Sequence, residues 1–261
     1  MLEGYLAALF MGIILGVIGA GGSILTVPIL VYLFRVDPIL ATSYSLFVVG
    51  TTALVGALGY AREQLIDYRA ACLFGLPSVI GVFSVRLWVI PNLPLEILGI
   101  GKGSFILIIF ALVMLVAAIT MIRPQQKKGQ AEEHVRGAVQ VPGVIIEGIL
   151  VGAITGFVGA GGGFLIVPAL VFFLQLPVRR AIGTSLIVIA GKSLIGFCGD
   201  AGGFQAIDWA FLLRFALVSS VGIGIGMKFA ARVPTARLKI GFGWFVLLAG
   251  IAIILAESFL N

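Results

Sequence analysis

Residues 15–30 read LGVIGAGGSILTVPIL, and residues 155–170 read TGFVGAGGGFLIVPAL. At an offset of 140 positions, nine of the sixteen are identical. The register continues beyond them: Ala41 pairs with Ala181, Ser45 with Ser185, Leu46 with Leu186, Leu54 with Leu194, Gly56 with Gly196 and Gly59 with Gly199. Order shared over this length marks an internal duplication. The first repeat covers 1–122, a linker covers 123–142, and the second repeat covers 143–261. Within the linker, RPQQKKGQAEEHVRGAVQ (123–140) is the one long polar stretch, and it holds the sole histidine, His134. A lone histidine among hydrated charges reads as a solvated linker residue, not a metal ligand.

Composition decides the solvent. Of 261 residues 61% are hydrophobic and 11% charged, with a mean hydropathy of +1.20. A soluble domain carries about a quarter charged residues, so most of this surface must face lipid. Apolar runs of about 20 residues recur, the length of a membrane-spanning helix. Strict alternation is absent, which argues against a β-barrel. The net charge is +6, but the cations sit in short loops, where they set orientation and do not imply nucleic acid. Cys72 and Cys198 lie in apolar surroundings and read as small buried hydrophobes, not a disulfide framework. Glu3 stands where a signal peptide needs a basic region.

Each repeat holds the same parts: a glycine-broken apolar stretch, then three spans. The spans are expected near 39–61, 69–90 and 103–122, and near 180–199, 209–230 and 237–257. The broken stretch is either one long interrupted helix or a re-entrant hairpin, and Lys and Arg positions arbitrate. If all eight segments span, the basic residues divide nine against six. If both broken stretches are hairpins, they divide twelve against three, with only Arg35, Arg86 and Lys102 on the poor side. The positive-inside rule favours the hairpins. The expected fold is therefore an all-α polytopic membrane protein with six spans and two hairpins, the linker cytoplasmic and both termini outside. Three spans per repeat is odd, so the second repeat enters upside down, an inverted repeat.

The glycine tips carry the chemistry. They are Gly19-Ala20-Gly21-Gly22-Ser23 and Gly159-Ala160-Gly161-Gly162-Gly163. A helix break inside a membrane is tolerated only where protein or a cavity surrounds it. The half-helix after each tip presents N–H groups without intrahelical partners at its positive dipole end, which makes an anion site. Pro28 and Pro168 occupy equivalent places in the second arms, where each removes an N–H and suits a short half-helix. Ser45, Thr184 and Ser185 of the following spans are expected near the tips as hydroxyl donors, with Thr42, Ser43, Thr51, Thr52 and Ser193 in the same polar belt. Lys192 sits in the middle of GTSLIVIAGKSLIGF, where an ionisable group is costly and by default functional. It reads as a counter-charge for the anion, or else as a partner of Asp200. Gly12, Gly16, Gly222, Gly224 and Gly226 read as close helix packing.

The paired GxxGAGGGxxxVPxL motifs, each followed by an A-x-x-T-S-like segment (ATSYSL at 41–46, AIGTSL at 181–186), resemble the sulfite exporter TauE/SafE family, also called the toluene-sulfonate uptake permease family. Ser23 departs from the motif's third glycine. The resemblance covers nearly the whole chain. It implies transport of sulfur-containing anions, such as sulfite, sulfoacetate and related organosulfonates, across the bacterial inner membrane.

The expected mechanism is alternating access around a site at the midplane. Export of one negative charge gains about 2.3 kcal/mol per 100 mV and needs no coupling ion, so export is favoured. The alternatives are an ion-coupled importer and an anion channel. No metal-ligand cluster or catalytic triad is visible, so neither enzyme activity nor a cofactor or metal is expected. The partners expected are a small sulfur-containing anion and the lipid bilayer, with no nucleic acid, and a homodimer is left open.

Overall fold

The computed structural model describes residues 2–19, 21–97, 99–122, 141–200, 207–230 and 235–260. Ala20 and the stretch 123–140, with His134, lie outside the described residues. The first repeat contains α1 (Leu2–Ile18), a return arm α2 (Gly22–Leu33), α3 (Pro38–Arg62), α4 (Tyr68–Asn92) and α5 (Lys102–Ile122). The second contains α6 (Val141–Val158), α7 (Gly163–Phe173), α8 (Val178–Cys198), α9 (Trp209–Ala230) and α10 (Thr235–Leu260). Before α5, Glu96–Ile97 pairs antiparallel with Ile100–Gly101. Among the described residues six helices are long and apolar enough to cross a membrane, namely α3, α4, α5, α8, the stretch Trp209–Phe229 of α9 and Ile240–Ser258 of α10. They fall on the six expected spans.

Local sequence sets the starts. Asp37 caps α3 by accepting from the Ile39 and Leu40 N–H groups at 2.9 and 3.2 Å, with Pro38 in the first turn. Asp67 caps α4 through the Ala70 N–H, and Asp208 caps α9 through the Phe211 N–H, both at 2.9 Å. These carboxylates take up orphan donors and complement the helix dipoles.

The glycine-broken stretches are hairpins. A continuous helix would put Gly4 and Phe34 about 45 Å apart at 1.5 Å per residue. Instead the Tyr5 and Phe34 rings stack edge-on with centroids 5.4 Å apart. In the second repeat α7 packs against α6. The two hairpins share a backbone. Gly19 N–H donates to Leu15 C=O and Gly159 N–H to Thr155 C=O, both at 2.8 Å; Val36 N–H donates to Leu30 C=O, as Leu176 does to Leu170. Arg35 and Gln175, also equivalent, both adopt positive φ, at 56° and 52°.

The arms then separate in character. α7 is a regular α-helix from Gly163, with Pro168 inside it. The first return arm opens with a 3-10 turn over Gly21–Leu25, and α2 then widens to a π-turn over Ile29–Leu33, directly after Pro28. Only the second return arm starts as an α-helix directly after its glycines, which corrects the expectation of two matching half-helices. The cause is packing: a Cβ on Gly22 would lie 2.4 Å from the Met11 carbonyl oxygen and 2.7 Å from the Leu15 nitrogen, so this arm lies backbone-on-backbone against α1.

Each hairpin is clasped by the second span of the other repeat. α1 runs along α9 and α6 runs along α4. A Cβ on Gly12 would stand 2.1 Å from the Ser219 carbonyl oxygen, and one on Gly226 would stand 2.2 Å from that of Ile13. Gly152 meets the Ser78 backbone in the same way. Gly12, Gly16, Gly222 and Gly226 are thus packing glycines, whereas a Cβ on Gly224 would meet nothing within 4 Å. Equivalent helices α3 and α8 pack against each other with opposed directions. The Phe47 and Phe197 rings lie 5.2 Å apart, Gly50 faces Leu194, and Gly56 faces Leu186. α5 and α10 do the same, with Gly243 beside Met121 and Gly250 beside Leu115.

Cys72 and Cys198 are free and exposed on the outer surface, not buried as expected. In a membrane protein an apolar neighbourhood in sequence does not separate core from lipid contact.

The glycine seam yields a paired expectation. Gly222→Ala places a methyl 2.3 Å from the Leu9 carbonyl oxygen and costs about 1–3 kcal/mol of overpacking. Gly224→Ala, two residues on, is neutral or stabilising by up to about 1 kcal/mol from helix propensity. Thermal melting in detergent separates them, and equal shifts for both would refute the seam.

Candidate functional site

α7 packs against the 3-10 turn Gly21–Leu25, so the return arms of the two hairpins meet. The second tip is the more open to chemistry. Gly159, Gly161 and Gly162 all take left-handed φ, at 76°, 63° and 62°. Only glycine adopts these cheaply. Gly162 is the residue before α7, and it offers no side chain to cap the helix N–H groups. Gly161 lies where α3 and α8 cross, within 2.4 Å of Val49 Cγ1 and 3.5 Å of Ile189 Cγ2 by its Cβ direction. Val49 and Ile189 are equivalent positions in the two repeats.

Lys192 comes to this tip from α8. It is fully buried. Its Nζ donates to Thr155 Oγ1 at 3.0 Å and stands 3.0 Å from the Cβ direction of Gly162. Thr155 Oγ1 in turn donates to the Gly152 carbonyl at 3.1 Å. The buried Lys192 amine therefore sits beside the positive end of a helix dipole, where burial disfavours its charged form and an anion would favour it. Among the described residues no carboxylate lies within ion-pair range of it; the ion pair found there joins Arg86 to Asp200. Two positive features concentrated in a water-poor place repel each other and are relieved by an anion. The alternative partner considered for Lys192, Asp200, is engaged elsewhere.

The other expected site residues fall into two groups. Gly19 (φ 81°) makes the first turn and rests on Ile182 of α8, and its carbonyl faces Ser185 Oγ at 3.5 Å. Ser185 Oγ also donates to the Ile182 carbonyl at 2.8 Å. Gly159 rests on Thr42 of α3, so each opening glycine leans on the third-segment span of the opposite repeat. Gly21 and Gly22 lie in the 3-10 turn, Ser23 and Ala160 are buried, and Gly163 opens α7. Ser45 is buried, and among the described residues its Oγ has no hydrogen-bond partner; the same holds for Thr26 Oγ1, Thr52 Oγ1 and Ser193 Oγ. Thr52 is the first-repeat equivalent of Lys192. Thr184 is different: its Oγ1 accepts the Asp67 N–H at 2.9 Å. Because α3 and α8 run in opposite directions, the start of α8 lies by the end of α3, and this hydroxyl holds the α3–α4 connection.

Three residues escaped the sequence reading. Arg86, counted there as a loop charge, is fully buried in the π-turn Val85–Val89 of α4. Its position inside the apolar run SVIGVFSVRLWVI (78–90) was the available signal. Thr155 replaces Leu15 of the first repeat, and a polar residue where the other copy is apolar was its signal. Glu257 lies within the span Ile240–Ser258, is 6% exposed, and accepts the Tyr32 hydroxyl at 3.3 Å. A cavity of about 460 Å³ lies away from the tips, between the first hairpin and α10. Phe10, Leu25, Pro28, Phe245 and Ile253 help to line it. Its walls are apolar, which suits hydrocarbon and not an anion.

Gly162 admits a steric test. Gly162→Ala puts its methyl 1.9 Å from Thr155 Cγ2 in a conformation costing about 1–2 kcal/mol for an L-residue. The variant is expected to melt lower, and adding Thr155→Ser, which removes that methyl but keeps the hydroxyl, recovers part of the loss. No recovery in the double variant would show that the clash is not there.

The family model described as "Sulfite exporter TauE/SafE" matches residues 5–253. A "Probable membrane transporter protein" of Xylella fastidiosa (strain 9a5c) is 32% identical over 249 residues, 93% of this chain and 90% of that protein. The probable membrane transporter protein YdhB of Bacillus subtilis (strain 168) is 27% identical over 90% of this chain and 92% of its own length. The probable membrane transporter protein MJ0441 of Methanocaldococcus jannaschii is 25% identical over 89% and 88%. No solved structure matches.

Proposed function

The chain belongs to the sulfite exporter TauE/SafE family, and from that premise we propose that it is a secondary transporter of sulfur-containing oxyanions, such as sulfite, sulfoacetate or a related organosulfonate, with the second glycine tip as its anion site. The observation that carries this reading is Lys192: a fully buried amine with no carboxylate in ion-pair range among the described residues, beside the start of α7, which has no side-chain cap. Leu165 N–H is already engaged with the Gly162 carbonyl at 3.1 Å, so the N–H groups that open α7 before it and the Lys192 side chain, charged when an anion is bound, are the donors offered to a sulfonate or sulfite, which has several acceptor oxygens. The partnerless hydroxyls of Ser45, Thr52 and Ser193 supply further donors in the same belt.

The opposed directions of α3 and α8 support an inverted repeat, the construction of many carriers that alternate access around a midplane site. In this reading the hairpins enter from opposite faces of the inner membrane, the linker is cytoplasmic and both termini are outside. Burial of Arg86 sharpens the charge asymmetry behind that orientation, since it removes one of the three cations on the poor side. Export is favoured because the membrane potential alone drives an anion out. Glu257 favours a second reading, proton-coupled import, because it places a carboxylate inside a span, bonded to the first return arm.

Flux in proteoliposomes at a set potential tests both. Sulfite and sulfoacetate are expected to move saturably without added Na⁺ or a pH gradient, and chloride is not. Lys192→Gln is expected to abolish saturable flux while the protein still inserts and melts cooperatively. Undiminished flux in that variant would discard the tip site. Flux that requires a proton gradient and is lost in Glu257→Gln selects import.

A further inference from the structure

The Arg86 guanidinium is held at one corner and unpaired along one edge among the described residues. Nη1 donates to Asp200 Oδ2 at 3.0 Å and Oδ1 at 3.4 Å, to Thr42 Oγ1 at 3.1 Å and to Ser43 Oγ at 3.3 Å. The Thr42 hydroxyl is itself oriented by donation to the Ile39 carbonyl at 2.7 Å. Four acceptors on one nitrogen fix the plane of the group. Among the described residues, neither Nε nor Nη2 has a partner, although the side chain is fully buried. Those two nitrogens form one of the parallel N–H forks with which arginine chelates two oxygens of an oxyanion. Leaving them unmatched in an apolar interior is costly.

The pair is also not demanded by the fold. At the equivalent positions of the other repeat, Gly226 stands for Arg86 and Tyr60 for Asp200, and the same helix packing forms there without any ion pair. Arg86 lies close to the second tip, since Thr42, which accepts its Nη1, also carries Gly159. Asp200 follows Lys192 by eight residues and lies just past the end of α8, and it is partly exposed at 15%. Arg86 is in the second half of α4, toward the face opposite the linker.

We propose that Arg86 forms a second oxyanion site, an outer station that binds a sulfonate or carboxylate through Nε and Nη2 before or after it occupies the Lys192 tip. Asp200 and the Thr42 and Ser43 hydroxyls position the guanidinium, and Asp200 competes electrostatically with the arriving anion. The inference rests on the anion-transport reading above but names a different group, so the two fail separately.

Sulfoacetate binding to the purified protein in detergent, followed by titration calorimetry, tests it. The wild type is expected to show two sites, Lys192→Gln one, and Arg86→Gln the other one. Arg86→Lys keeps the charge but loses the fork, and it weakens the outer site about tenfold. Asp200→Asn removes the competing carboxylate and tightens that site several-fold, an outcome opposite to that of a merely structural ion pair. If Arg86→Gln does not fold, Arg86→Lys and Asp200→Asn carry the test. A wild-type isotherm unchanged by Arg86→Lys, or weaker binding in Asp200→Asn, overturns the outer site. Loss of only the Arg86-dependent site, with none lost in Lys192→Gln, overturns the tip reading and leaves Arg86 standing.

Discussion

Everything in this molecule depends on hiding broken backbone from lipid. A turn such as Gly159–Gly162 exposes polar groups that hydrocarbon cannot satisfy. It is held because each hairpin is clasped by the second span of the other repeat, through glycine faces that bring helix backbones into direct contact. α1 lies on α9 through Gly12, Gly16, Gly222 and Gly226, and α6 lies on α4 through Gly148, Gly152 and Gly156. Association of this kind inside a bilayer gains nothing from the hydrophobic effect and relies on close packing. The repeats are therefore interlocked, and neither hairpin is enclosed by its own half.

That frame repeats closely, and the chemistry does not. Backbone hydrogen bonds and positive-φ turns recur at matching positions, from Gly19 and Gly159 to Arg35 and Gln175. The charged side chains near the second tip have no charged counterparts near the first. Lys192 corresponds to Thr52, Thr155 to Leu15, Arg86 to Gly226 and Asp200 to Tyr60. The first tip keeps a regular turn at Gly19 but continues as a 3-10 turn pressed on α1, so it lacks the clean helix start of the second. A duplicated scaffold can divide its labour in this way, and on the proposed reading it is the second hairpin that would supply the anion site.

The spans and hairpins were legible because each rests on a strong local signal. Span length follows from the thickness of hydrocarbon, and the GAGG-to-Pro spacing occurs twice in register. Lys192 was legible because a charge in mid-span has no bland place to go. Arg86 was not, because it precedes Pro91 by five residues and a charge near the end of an apolar run passes for a loop residue. The fate of Thr184 depended on α3 and α8 running in opposite directions, which lies beyond local pattern; the same fact brings its hydroxyl to Asp67. Cys72 and Cys198 show the general limit. Hydropathy tells membrane from water, but it does not tell a lipid-facing surface from a packed one.

The placement of the buried charges bears on how an anion could move without being trapped. A single site deep enough to strip an oxyanion of water must also release it, and conduction through multiple weaker stations meets both needs better than one strong one. Lys192 and Arg86 are two cations on one side of the molecule, linked through α8 by Lys192 and by Asp200 at its end. They differ in kind. Lys192 has a hydroxyl acceptor and no carboxylate, whereas Arg86 shares its charge with Asp200. The partly exposed member of the second pair is the acid, so on the proposed two-site reading the Arg86 station, which shares its charge with Asp200, would hold an anion less firmly than the Lys192 station. On that reading a gradient of affinity along the path follows from the difference, with the tighter station at the glycine turn.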